Sequence, residues 1–402
     1  MALLHPQSSE SIDTGLDLFE IPPTQTSVSD GMYMEQQPIS SFTLGSPIEF
    51  LISGATEDYL DLHNTLLHIK AKITQSDGSD LANDEEATPT NYWLHSMFQQ
   101  CDIYLNDTLI TASENTYPYR AMIETLTMTD HEAQTNGFLT SSMFYRDPKG
   151  VLGATQSANN AALAIRKGLT ARSRTVDMIG KIHSDITRQL RFLIPGVDVK
   201  IKLIPSKSAF NLMVHTVANA NKTEIVHASL FVRKVKVNPA VALAHEKMLL
   251  RSTVKYPIKR SVNKVFSIPL GQLSYIQDNL FLSQTPTKLF IVFVDTSAFN
   301  GVYNENPFNF KHHNITYLSL YMDGKQIPSK PFTPDFATNQ YVRSYYSMLA
   351  ASGVTNGSSN GISYQDFGDG YTIFGFDLSP SLVDNDQFEL VRSGAIHHPF
   401  GS

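Results

Sequence analysis

One cysteine, Cys101, occurs in 402 residues, so no disulfide can close within the chain and no thiolate-built zinc site can be assembled. Charge is sparse as well: Asp, Glu, Lys and Arg make up 17% of the residues, below the roughly 25% of average soluble chains. The net charge of -7 gives no overall cationic surface, which argues against a chain devoted to gripping nucleic acid. Long apolar runs are also missing. The longest, Leu289 to Val294, has six residues; that suits a buried strand and falls far short of the roughly 20 a membrane helix needs. The first twenty residues hold no Lys or Arg and no continuous apolar run, unlike a secretory signal. The expectation is a soluble protein without a membrane span that stays inside the cell making it.

What is present is an ordinary globular composition, 42% apolar and 10% aromatic, in a chain long enough for two cores. Charge is uneven. Residues 1 to 90 carry 15 Asp or Glu against Lys70 and Lys72, which leaves 23 acidic and 29 basic residues in the remainder. Residues 1 to 45 mix Ser, Thr, Gln, Pro and Gly with isolated apolar residues, and Pro22-Pro23 blocks a helix. This reads as an extended acidic arm.

From residue 46 the dominant period is two. Leu67-His68-Ile69-Lys70-Ala71-Lys72-Ile73 and Val197-Asp198-Val199-Lys200-Ile201-Lys202-Leu203 alternate apolar with polar, the pattern of half-buried antiparallel strands. Further strands are expected at 225–237, 262–268, 288–294, 317–326 and 371–377, with Asp323-Gly324 as a two-residue hairpin turn. Helices are few. Asn238-Pro239 followed by Ala240 to Leu250 supplies an N-cap, a first-turn proline and good helix formers, and its position marks a linker between two domains. Tyr119–Thr127 and Tyr341–Ala350 are the other two.

Those two helices expose an internal repeat. Each follows a strand-turn-strand unit, with Asn106-Asp107 matching Asp323-Gly324, and each is an aromatic helix with one arginine near its start, in Tyr119-Arg120 and Val342-Arg343. The repeat makes a prediction about the end of the chain. Gly196 is followed by two strands in the first half, whereas its counterpart Gly394 is followed by only eight residues. These cannot supply two strands, so the second domain is expected to lack its last two and to leave strand edges unpaired.

Catalytic chemistry is hard to place. His245-Glu246 lacks the second histidine one turn later, where Leu249 stands, that a helical zinc site requires. His312-His313 are neighbours that a strand would point to opposite faces, and a cupin-type enzyme would need a His-x-His pair that is not there. No Gly-x-Ser-x-Gly elbow or phosphate-cradling loop occurs; Gly353 to Gly361 reads as a surface loop, Asp84-Glu85-Glu86 as a solvated one, and Cys101 as a small buried thiol. The triplets beginning at Asn106, Asn221, Asn314 and Asn356 have no route to glycosylation in a chain that is not secreted. Trp93 and the tyrosines of 341–346 could form a sugar-stacking platform, although core or interface packing is the simpler expectation. The one marked charge feature is the run from Arg233 to Lys264, nine Lys or Arg against the single acid Glu246. Arg233, Lys234, Lys236, Lys255, Lys259, Arg260 and Lys264 are the candidates for a basic surface that faces packaged nucleic acid or the acidic arm of a neighbour.

Several segments carry a family resemblance: Leu18 to Ser27 (LFEIPPTQTS), Pro47-Ile48-Glu49-Phe50, Asn115-Thr116-Tyr117-Pro118-Tyr119-Arg120, Asp198 to Leu203, Leu230 to Val237, Asn306-Pro307-Phe308-Asn309-Phe310 and Gly370-Tyr371-Thr372-Ile373-Phe374. In this order and spacing the chain resembles the double jelly-roll major capsid proteins of Polinton (Maverick) elements, relatives of adenovirus-like and virophage-like capsid proteins. The resemblance implies an all-β chain of two tandem eight-stranded jelly rolls, with an arm at 1–45, a first roll at 46–238, a linker helix at 239–251 and a C-terminally incomplete second roll at 252–402. It also implies a homotrimeric, pseudo-hexagonal capsomer in an icosahedral shell around double-stranded DNA bound without sequence specificity. Penton or minor capsid proteins would be the other partners, and the virion, assembled inside the host cell, the location. No enzymatic activity, cofactor or catalytic residue is implied. The alternative function from the residues alone is a jelly-roll attachment or glycan-binding protein.

Overall fold

The computed structural model of the chain describes all residues except 1–6, 10, 20, 41–44, 136, 217–219, 279, 282–283, 355–358, 381–387, 391, 393–395 and 402, and for 396–401 the backbone alone. Gly394, residues 355–358 of the loop from Gly353 to Gly361, and Glu10 and Glu20 of the arm therefore lie outside the described residues.

Ten strands build the first half: β1 (Val28–Gln36), β2 (Ile48–Ile52), β3 (Tyr59–Thr74), β4 (Ala87–Pro89), β5 (Phe98–Leu105), β6 (Thr108–Leu109), β7 (Val176–Lys181), β8 (Val199–Pro205), β9 (Leu212–Val214) and β10 (Lys222–Val237). They form two four-stranded antiparallel sheets, ordered β1-β10-β3-β7 and β2-β8-β5-β6, with β4-β9 as a small third ladder. The alternation read from the sequence sets the faces. On β3, Leu67, Ile69, Ala71 and Ile73 are fully buried while His68, Lys70 and Lys72 stay half-exposed. On β8, Val199, Ile201 and Leu203 point inward, and Lys200 reaches Glu49 on β2 at 3.0 Å, a hydrogen bond that holds the carboxyl below its ordinary range.

The second half contains β11 (Ser274–Gln277), β12 (Lys288–Val292), β13 (Tyr317–Met322), β14 (Lys325–Phe332), β15 (Ile373–Asp377) and β16 (Ile396–Gly401). Its sheet β11-β16-β13-β14 has the same order as β2-β8-β5-β6, and the pair β12-β15 matches β3-β7. Both hairpins turn on two left-handed residues, Asn106 and Asp107 (φ 45° and 64°) and Asp323 and Gly324 (φ 50° and 76°), as tight two-residue turns between twisted strands require. Among the described residues, four helices of ten or more residues lie in the connections: α1 (Tyr117–Met128), α2 (Ala161–Thr170), α3 (Pro239–Leu249) and α4 (Val342–Ser352). The Asn238 side chain caps α3 by accepting from the Ala240 N–H at 2.9 Å. The helices α1 and α4 follow the two hairpins at equivalent places, as the repeat requires.

Three expectations change. The last eight residues do supply one of the two strands thought missing: β16 lies between β11 and β13 as β8 lies between β2 and β5, and its pairing with β13 lapses at His398 and Pro399, where proline offers no amide. Among the described residues, β12 pairs only with β15, while its counterpart β3 sits between β7 and β10. All five residues of β12 are accordingly only half-buried. Second, residues 28–36 of the expected arm are a strand, zipped along the outer edge of β10 from Val28 opposite Val237 to Gln36 opposite Leu230. Third, 262–268 forms no strand. The backbone amides at its start go to side chains of the first half, Ser261 N–H to Asp185 and Asn263 N–H to Glu114 at 3.1 and 2.9 Å.

Candidate assembly surfaces and the seam between the rolls

The functional question for such a body is what makes two rolls one unit and which faces remain for other molecules. The buried side chains of the first core, around Phe50, Leu67, Trp93, Phe98, Ile201 and Leu230, all come from the first half, with Tyr256, Ile258 and Tyr303 of the second packed against them. The second does not. Tyr92, Tyr119, Met122, Leu126, Phe144 and Phe210 of the first half are buried in the same cluster as Phe308, Phe310, Leu318, Met348, Phe367 and Phe374 of the second. At its centre the Tyr119 ring stacks on Phe299 at 5.4 Å and meets Phe210 and Phe308 edge-on at 5.8 Å each. Gly301 makes the approach: at φ 87°, any Cβ there would stand 3.0 Å from the Phe210 backbone nitrogen.

Polar bonds cross the same seam. The Tyr371 hydroxyl donates to the Asp147 carbonyl at 2.6 Å, and Asn306 donates to the Leu152 carbonyl at 2.9 Å. Arg146 pairs with Asp366 at 3.1 Å and lies over the Tyr371 ring at 4.6 Å. Behind it, Arg166 is 1% exposed, paired with Asp147 at 2.8 Å, and donates to the Pro89 and Tyr145 carbonyls. Sequence reasoning missed Arg166 and Asp147, because one arginine on an Ala- and Leu-rich helix carries no pattern that marks it as buried.

Arg120, singled out by the repeat, anchors a second buried network. It pairs with Glu124 at 3.0 Å and with Asp185; His183 and Arg188 bind Glu124 at 2.9 and 3.1 Å. Burial alone would raise the Glu124 carboxyl, but the His183 hydrogen bond and the charges of Arg120, His183 and Arg188 outweigh it and bring the pKa down to about 2. Asp185 also accepts from Ser261, so this cluster ties the incoming second half to the first.

The residues weighed for chemistry resolve into packing. Cys101 is buried and its thiol is pushed up to about 12 by desolvation. His312 stacks on Phe336 at 4.1 Å, and His313 faces Asp295 at 3.8 Å; burial lowers both imidazoles. His245 is held by the Tyr59 hydroxyl at 2.9 Å. Among the described residues no cluster of three His, Cys, Asp or Glu is placed to hold a metal, and no helix is long and apolar enough to cross a membrane. Trp93 is fully buried, which removes it from any sugar platform.

The residues of the basic run differ in their partners. Arg233 pairs with the buried Asp61 at 2.7 Å and Lys234 with Asp58 at 4.0 Å. Lys264 donates to the Leu280 carbonyl and sits 5.1 Å over the Phe281 ring. Arg260 reaches the Ile110 carbonyl at 3.5 Å. Lys236, Lys255, Lys259, Arg260 and Lys264 are exposed. Lys255 lies with Arg191 on a cleft of about 530 Å³ under α3, between Val28, Phe192, Ile194, Val241, Met248 and Tyr256.

No protein-family model matches the chain. An uncharacterized protein of Caenorhabditis elegans is 27% identical over 384 residues, spanning 92% of this chain and 89% of that protein. Among solved structures, VP54 of PBCV-1 fitted into a reconstruction of the virophage Sputnik gives a TM-score of 0.57 at 10% identity, covering 95% of this chain and 86% of that one. The Sputnik virophage structure gives 0.56 at 12% identity over 99% and 87%, and the PBCV-1 virus capsid gives 0.51 at 10% identity over 95% and 86%. The likeness spans both halves and fixes the architecture: an all-β chain of two jelly rolls in tandem, with its helices in the connections.

Proposed function

We propose that this chain is a capsid structural protein whose task is self-association through broad subunit faces. The observation that carries the reading is the seam: two rolls of matching topology share one buried aromatic core, so the pair behaves as a single rigid building block. A binding module of two independent rolls would not need such a weld. The double jelly-roll fold that the chain shares with the PBCV-1 and Sputnik structures supports the same role.

In the finer form of this proposal, three chains present six rolls in a pseudo-hexagonal capsomer, capsomers tile an icosahedral shell, penton or minor proteins complete it, and double-stranded DNA fills it without sequence-specific contacts. The Polinton lineage rests on the matching segments from Leu18 to Phe374. The virion is then the location and no catalytic step is part of the role. A basic inner or inter-subunit surface would be formed by Lys236, Lys255, Lys259, Arg260 and Lys264, which are exposed, with Arg233 and Lys234 also serving Asp61 and Asp58. Electron microscopy of the concentrated, purified chain tests the proposal. Six-lobed particles with three-fold symmetry are expected; dispersed two-lobed monomers at high concentration overturn it.

A further inference from the structure

The cleft under α3 is an apolar floor with a positive rim. Arg191 and Lys255 are among the residues lining it, and none of those residues is Asp or Glu. The helix above it buries no residue, leaving Leu243, Met248, Leu249 and Leu250 between 45% and 88% exposed. Lys247 and Arg251 flank its single acid, Glu246. Such a surface suits an extended, acidic segment with spaced apolar side chains.

The chain carries one such segment. Residues 1–26 hold Glu10, Asp13, Asp17 and Glu20 and no Lys or Arg. In the same stretch Ile12, Leu16, Leu18, Phe19 and Ile21 are 70% to 96% exposed. The arm begins at the cleft, because Ser27 and Val28 line it, yet its apolar residues do not enter it. Pro22-Pro23 lies close to the point of attachment, and an extended chain advances about 3 Å per residue, so the spacer allows Phe19 a reach of up to roughly 25 Å. A spacer of this length lets the arm reach a second molecule.

We propose that the acidic arm of one copy, residues 10–21, docks in the cleft under the linker helix of a second copy. Its leucines and Phe19 cover Met248, Leu249 and Val254, and its carboxylates face Arg191, Lys247, Arg251 and Lys255. The inference deepens the capsid reading by naming one contact between copies, and it rests on that reading only in requiring that copies meet.

Two full-length variants with different tags, Leu18→Cys and Leu249→Cys, are mixed and oxidised; the native Cys101 is buried and does not compete. A disulfide joining the two tags is the expected product. Asp13→Lys with Asp17→Lys on the Leu18→Cys chain should lower its yield about fivefold, and Arg191→Glu with Lys255→Glu on the Leu249→Cys chain should restore it. Two results overturn the arm exchange: no cross-tag product although a thiol reagent labels both positions, or a disulfide confined to single chains in the Leu18→Cys, Leu249→Cys double variant. Trimers without the cross-tag product overturn the exchange and leave the capsid reading standing, whereas monomers overturn both.

Discussion

Arg120 stands between two buried carboxylates, Glu124 and Asp185, and removing it takes a cationic partner from each, leaving Glu124 with His183 and Arg188. Arg120→Leu is expected to destabilise the fold by about 3–5 kcal/mol, measured by urea unfolding. Arg120→Lys should recover only part of this, since an ammonium cannot serve both partners in the planar geometry of a guanidinium. Titration offers a second check at this scale. Glu124 is held down at about 2, so its contribution is present above the ordinary carboxylate range and is lost only as pH falls toward 2. His95, fully buried with Tyr117 on Nδ1 at 2.9 Å, is lowered well below its usual value by burial. A histidine held neutral in the fold binds fewer protons than in the unfolded chain. Its contribution is therefore complete above about pH 6.5 and is lost on acidification, by up to about 1.4 kcal/mol per pH unit. His312 and His313 shift the same way. The expected outcome is stability that declines below about pH 6.5 and a shallower decline in His95→Leu; an unchanged slope contradicts the assignment.

Among the elements, local signals were the legible ones. Alternation located β3 and β8, and the Asn106-Asp107 and Asp323-Gly324 turns located both hairpins, because a two-residue turn and a pleated face are written within a few residues. The strand β1 escaped. Met32, Tyr33 and Met34 are all exposed, so no face alternates, and backbone pairing with β10, about two hundred residues away, creates the strand. The stretch 262–268 misled in the opposite sense, since amides at its start bond to Glu114 and Asp185 instead of a neighbouring strand. The seam was half legible. Tyr119 and Arg120 stood out through the repeat, but Gly301, Phe210 and Arg166 acquire their roles only when distant segments meet. Two glycines separate backbone strain from crowding. Gly324 has φ 76° with open space around it, whereas Gly301 has φ 87° and the Phe210 backbone 3.0 Å from the place an alanine methyl would take. Gly324→Ala is expected to cost about 1 kcal/mol and Gly301→Ala about 2–4 kcal/mol in chemical denaturation. Equal costs would remove Gly301 from the seam argument.

For the whole molecule, a shared core predicts shared unfolding. With Tyr119, Phe210, Phe299 and Phe308 in one aromatic group, the two rolls should melt in a single calorimetric transition whose van't Hoff and calorimetric enthalpies agree. Phe308→Ala, costing about 3–5 kcal/mol at the junction, is expected to split that transition in two. Two resolved transitions in the unaltered chain would show that the rolls are independent.

Whole-molecule architecture was legible through the repeat and the family resemblance, and the end of the chain was not. Counting eight residues after Gly394 suggested that both closing strands were missing, yet β16 occupies the place of β8. A six-residue strand containing a proline carries no period to read; its position is set by the backbone edges of β11 and β13 on either side.

The proposed role requires this two-roll body to meet copies of itself. Light scattering coupled to size exclusion on the purified full chain measures that association. A stable species of about 134 kDa, three times the 44.7 kDa chain, that persists on dilution is expected. A folded monomer of 44.7 kDa at every concentration would contradict it.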